Sequence, residues 1–204
     1  RQVKGWNRTK SKAAPLAEKG ATLVDSPADL AGVDVLCTMV STGRDVETLY
    51  FGENGVLAGD KTPGIFIDFS SIGVDNSAQL RDQLSARGAQ FLCSPVSGNG
   101  KCVKAGKLSS VVSGPEAVFG TVKPIIETIA ANGVSYVGEG ELARFCKIAH
   151  NIMLGVVTQN LAEITVLAEK AGVSRYAFLD FMNNSVMGSI FTRYKTNAFV
   201  NLDW

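Results

Sequence analysis

Two nearly unbroken apolar runs, Val33 to Val40 and Gly64 to Phe69, constrain this chain more than any other feature of its sequence. A strand with one wet face alternates polar and apolar side chains. A run without alternation calls for cover on both faces, as in a parallel sheet between helices. The surrounding segments supply such helices. Residues 2 to 6 are short and alternating and lead through Asn7-Arg8-Thr9 into a helical spacing of Lys12, Ala13, Leu16 and Ala17. Ala21 to Val24 reads as extended, and Ser26-Pro27 caps a short helix through Leu30. Further helices are predicted over about 44–50, 76–87 and 117–132, and further strands over 90–93, 108–113 and 134–137. Strand and helix alternate, which predicts an α/β fold with a doubly wound, Rossmann-type sheet over residues 1–140.

From Glu141 the character changes. Up to Ala171 the only glycine is Gly155, so the stretch reads as one long helix that Gly172 stops. Residues from Ser174 onward read as further helix, making 141–204 an interdomain helix and the start of an all-helical domain. The chain begins at Arg1 and runs through Asn201-Leu202-Asp203 without a helix-end signal, so both ends are expected to be cut.

Twenty basic and nineteen acidic residues leave a net charge of +1 with no block of one sign, which argues against nucleic acid and for a small-molecule partner. Cys37, Cys93, Cys102 and Cys146 form no Cys-x-x-Cys pair and are expected to be buried free thiols of a cytoplasmic protein. With one histidine, His150, no metal site is expected. No apolar run approaches the roughly 20 residues of a membrane span, so no membrane partner is expected either.

Three clusters carry candidate chemistry. Lys147 and Asn151 are four residues apart on the long helix and share a face, with Arg144 and His150 close to it; an ordinary solvated helix shows the same spacing. Ser97-Gly98-Asn99-Gly100 follows a strand, where glycine admits close backbone approach and the Ser, Asn and N–H groups suit a carboxylate; an ordinary turn has the same composition. Asn7-Arg8-Thr9 with Lys12 ends a strand. In a dinucleotide-binding sheet that end meets the adenosine ribose, and arginine there suits a 2′-phosphate.

Taken in order, Asn7-Arg8-Thr9 with Lys12-Ala13, Ser26-Pro27-Ala28-Asp29, Thr38-Met39-Val40, Ile67-Asp68-Phe69-Ser70-Ser71, Pro95-Val96-Ser97-Gly98, Gly106-Lys107-Leu108 and Lys147-Ile148-Ala149-His150-Asn151 resemble the 3-hydroxyisobutyrate dehydrogenase and glyoxylate reductase family. The resemblance covers essentially the whole chain and implies a 6-phosphogluconate dehydrogenase-like oxidoreductase. It makes Lys147 the catalytic acid/base and Asn151 its substrate-binding companion. Ser97 and Gly98 match the substrate-carboxylate loop, with Asn99 where the family commonly has glycine. Met39 and Val40 match the strand end beside the cofactor, and Ser71 replaces a threonine near the nicotinamide. Asn7, Arg8, Thr9 and Lys12 would hold the adenosine end of NADP, with NAD as the alternative. The implied substrate is a small β-hydroxyacid, or the matching aldehyde or keto acid, of the 3-hydroxyisobutyrate, glyoxylate or succinic semialdehyde type. A homo-oligomer would form through the helical domain. Two competing readings are an imine reductase, which usually lacks the lysine, and a non-catalytic scaffold of the same fold. The family's Gly-x-Gly-x-x-Gly turn does not occur here, so the first strand is expected to be missing and this chain alone to be inactive.

Overall fold

The computed structural model describes residues 2–203, which fall into two compact units, one up to Ile148 and one from Ala149 onward.

In the first unit, β4 (Ile65–Asp68) pairs in parallel with β3 (Val35–Thr38) on one side and β5 (Gln90–Cys93) on the other. Successive side chains of a strand point to opposite faces. Phe66 therefore enters one apolar cluster, with Val46 and Tyr50 of α2 (Gly43–Phe51) and Leu80 and Leu84 of α3 (Val74–Ser85). Ile67 enters another, with Val122 and Ile126 of α5 (Glu116–Ile129). Helices cover both faces, as the unbroken run in β4 requires.

The same expectation fails for β3, where Cys37 is exposed. Among the described residues β3 has a ladder partner on one side only; its Val35 packs against the cluster under α5, but Cys37, two residues on along the same face, is left exposed. A second correction concerns the other thiols: Cys93 is buried, Cys102 is half-buried and Cys146 is exposed, so the four are free but not all buried.

Two residues at each end of the first turn form a separate parallel ladder, β1 (Lys4–Gly5) with β2 (Thr22–Leu23), flanking α1 (Lys10–Ala17). Ser26 and Asp29 close a capping box around the 3-10 turn Pro27–Leu30. The stretch read as a loop after β5 is more ordered than its composition suggests. Val96–Ser97 forms β6, antiparallel to β7 (Ser109–Val112), and Asn99 caps a short helix, α4 (Gly100–Lys104), by accepting from the Lys101 and Cys102 N–H groups. A buried Ser94–Ser110 hydroxyl contact of 2.8 Å holds that strand in place. β7 then pairs in parallel with β8 (Gly133–Tyr136).

The long helix, α6 (Leu142–Lys170), runs through the division between the units and ends at Gly172, whose φ of +90° suits a residue without Cβ. α7 (Arg175–Asn184) and α8 (Ile190–Asn201) follow, each opened by a serine, Ser174 and Ser189, that accepts from a backbone N–H. Leu161, Leu179 and Phe199 form the small buried core of this second unit. Leu202, at φ 57°, ends α8, a stop that no glycine announces in the sequence.

No uninterrupted apolar run reaches membrane-span length, yet α6 has an 18-residue window of mean hydropathy 1.3 and is long and apolar enough to cross a membrane by length and composition alone.

Candidate active site

The start of α6 is bound to the first unit by polar groups that are almost all buried. Arg144, 1% exposed, sends each of its three nitrogens to a different acceptor. Nη2 donates to Asp68 Oδ2 at 2.7 Å, Nη1 to the Ser70 carbonyl at 2.5 Å and Nε to Ser77 Oγ at 3.1 Å. Asp68 closes β4 and has no exposed surface. Its second oxygen accepts from Ser70 Oγ at 2.7 Å, and Ser70 Oγ in turn accepts from the Val40 N–H at 2.9 Å. Beside this network, the Ala143 N–H donates to Ser113 Oγ, which donates to the Gly140 carbonyl. Arg81 of α3 pairs with Glu141 at 2.8 Å.

Desolvation raises the Asp68 carboxyl, while Arg144 and the Ser70 hydrogen bonds pull it back; the net direction is upward. A buried pair of this kind adds little net stability, since the cost of dehydrating two charges consumes most of their attraction.

Lys147 lies one turn beyond this anchor, half-buried. Burial lowers its pKa from the ordinary lysine value. Arg144, three residues before Lys147 and close to its face of the helix as expected, is buried with its guanidinium inside the protein. Asn151 follows one helical turn after Lys147 and belongs to the second unit; it is exposed, with its Oδ1 3.2 Å from His150 Nδ1.

Asn7, Arg8 and Thr9 occupy the turn from β1 into α1 and Lys12 lies in the first turn of α1; all four are exposed. Asn7 Oδ1 accepts from the Thr9 N–H at 2.8 Å, which shapes the turn. Arg8 sits 3.6 Å from Asp45, with 82% of its side chain accessible. Met39, 64% exposed, and Val40 follow β3, and Ser71, also exposed, follows β4. The Val40–Ser70 bond thus joins the ends of β3 and β4, and Asp68 joins both to α6. Ser97 and Gly98 lie at β6. Gly98 has φ +131°, and a Cβ there would stand 2.6 Å from Leu108 Cδ2, so the loop has room only for glycine.

The Asp68–Arg144 pair is a site feature that motif and spacing do not reveal. The available signal was an aspartate inside an apolar strand and an arginine inside an apolar helix stretch, two charges that burial permits only together.

Over residues 1–138 the sequence matches the family described as the NAD binding domain of 6-phosphogluconate dehydrogenase. The 3-hydroxyisobutyrate dehydrogenase of Pseudomonas aeruginosa is 31% identical over 175 residues, which are 85% of this chain and 58% of that protein. Among solved structures, the Mycobacterium tuberculosis 3-hydroxyisobutyrate dehydrogenase with L-serine superposes with a TM-score of 0.80 at 28% identity, covering 94% of this chain and 65% of that one. Psf3 in complex with NADP+ and 2-OPP superposes with a TM-score of 0.85 at 25% identity, covering 98% and 71%. Parallel strands covered by helices on both faces, with the match to an NAD binding domain over residues 1–138, define the class as a Rossmann-like NAD(P)-binding protein. Within that class the chain belongs to the 3-hydroxyisobutyrate dehydrogenase-like family.

Proposed function

We propose that this chain carries the cofactor domain and the catalytic lysine of an oxidoreductase acting on a small hydroxyacid, or on the matching aldehyde or keto acid, of the 3-hydroxyisobutyrate, glyoxylate or succinic semialdehyde type. The observation that carries this reading is Lys147, a half-buried lysine of lowered pKa one helical turn beyond a buried anchor, in a chain of this family. A bound nicotinamide dinucleotide supplies or accepts the hydride. Lys147 Nζ gives a proton to the substrate oxygen during reduction and takes it back during oxidation. Burial, which shifts an amine from its usual value of about 10.4 towards neutrality, equips it for both directions. Asn151 hydrogen-bonds the substrate, and Ser97, the Gly98 backbone and Asn99 receive its carboxylate.

The strand-end residues suit a dinucleotide. Exposed Arg8 and Lys12 offer positive charge to a 2′-phosphate, while Met39, Val40 and Ser71 line the ends of two neighbouring parallel strands, where α/β sheets bind ligands. Among the described residues Arg8 pairs with half-buried Asp45 at 3.6 Å while its own side chain stays 82% accessible; such a surface pair is worth about 0–1 kcal/mol, so Arg8 turns to a phosphate at little cost. NADP is accordingly the proposed cofactor, with a cytoplasmic location and assembly through the helical domain. We read α6 as an enzyme helix, not a membrane span.

Single-turnover reduction of a three- or four-carbon aldehyde or keto acid by bound NADPH tests the lysine in the native protein. Lys147→Ala and Lys147→Arg should each lower the rate by about 10²–10⁴-fold while leaving the NADPH dissociation constant near the parental value. Arginine fails because it keeps its proton near neutral pH. A near-parental rate in either variant refutes the assignment. The cofactor preference is tested separately by Arg8→Ala, which should weaken NADP binding and leave NAD binding unchanged; an unaltered NADP constant would refute it.

A further inference from the structure

We infer that Arg144 and Asp68 form a positioning pair that sets the register of α6 against the ends of β3 and β4, and so holds Lys147 at its working distance from the cofactor-side residues Val40 and Ser71. The inference rests on the assignment of Lys147 as acid/base.

The network has the form of a positioning device. Arg144 reaches three acceptors on two elements, the carboxylate that closes β4, the Ser70 carbonyl after it and the Ser77 hydroxyl of α3. A planar guanidinium meets three acceptors in one orientation only, so the helix can neither rotate nor slide without breaking a buried bond. The carboxylate's other oxygen continues through Ser70 Oγ to the Val40 N–H, so the pair touches both strand ends assigned to the cofactor. Lys147 stands three residues after Arg144 on the same helix, at the i, i+3 spacing that makes side chains neighbours. An error of 1 Å in placing a reacting group costs up to about 100-fold in rate. Two fully buried charges are costly to dehydrate, so the attraction within the pair is largely consumed and stability alone explains it poorly.

Two variants separate position from stability. Asp68→Leu combined with Arg144→Met replaces the pair by apolar groups and should lower the thermal midpoint without unfolding the protein, because the buried Ser70 groups lose their partners. Arg144→Lys keeps the charge but cannot reach three acceptors. Both should lower kcat by about 10- to 100-fold, with KM for NADPH changed by less than about threefold and with the NADPH-free thermal transition still cooperative. The second readout needs no turnover: brief labelling with acetic anhydride, read by mass spectrometry, should change the acetylation of Lys147 relative to Lys107. A folded double variant with parental kcat and parental Lys147 labelling overturns the inference. If the double variant does not fold, parental kcat and labelling in Arg144→Lys overturn it. Failure of the underlying assignment looks different: Lys147→Ala then retains turnover, while the labelling shift in the Arg144 variants still reports whether the pair positions the amine.

Discussion

Lys147 combines two demands that pull against each other. The burial that makes its ammonium a better acid also makes the folded protein carry a partly dehydrated charge. An ammonium whose folded pKa lies below its unfolded value imposes a penalty that is fully present below the folded value. That penalty is relieved as pH rises towards the unfolded value near ~10.4. Lys147→Met keeps the methylene packing and removes the charge, so it should leave the thermal midpoint at pH 7 equal to the parent's or higher, with the difference shrinking as pH approaches 10. Thermal unfolding at pH 7, 8.5 and 10 measures this, and a midpoint several degrees below parental at pH 7 would show that the lysine stabilises the fold instead. Position 147 was legible as a candidate from its motif, since family resemblance attaches to local strings of residues. Arg144 was legible only as a neighbour on the helix, because spacing says which residues share a face and not which of them finds a partner inside the protein.

The two apolar strands that looked alike in sequence differ in the sheet. β4 has partners on both sides, and Phe66 packs edge-on to Tyr50 with ring centroids 4.9 Å apart; β3 lies at a ladder edge and leaves Cys37 exposed. Phe66→Ala should therefore cost about 3–5 kcal/mol, the range for emptying a buried aromatic site, whereas Cys37→Ser should cost under about 1 kcal/mol, as surface changes do. Urea unfolding of the two variants checks the contrast, and similar losses would mean that Cys37 is covered in solution. The helices up to α6, α4 apart, were predicted to within a few residues because their spacing and caps are local, whereas the stretch from Ser174, read as further helix, divides into α7 and α8. The short strand Val96–Ser97 and helix α4 were not predicted, because a glycine-rich string resembles a loop until Ser94, Asn99 and Ser110 find their hydrogen-bond partners.

Across the two units, the arrangement of chemistry follows one division of labour. The first unit buries two apolar clusters around β4 and holds the polar network at the strand ends; the second has a smaller apolar core of Leu161, Leu179 and Phe199. The alternation of strand and helix, the long helix ending at Gly172 and the family motifs could all be read along the chain, since each depends on residues within about one turn or one strand of each other. The closing of the candidate site could not. Arg144 meets Ser77, Ser70 and Asp68 across sequence separations of 67, 74 and 76 residues. Composition places no constraint on which buried donor meets which acceptor at such a distance. Only when β4, α3 and α6 pack together does the aspartate in an apolar strand acquire its arginine, and with it a fixed register for the helix that bears Lys147.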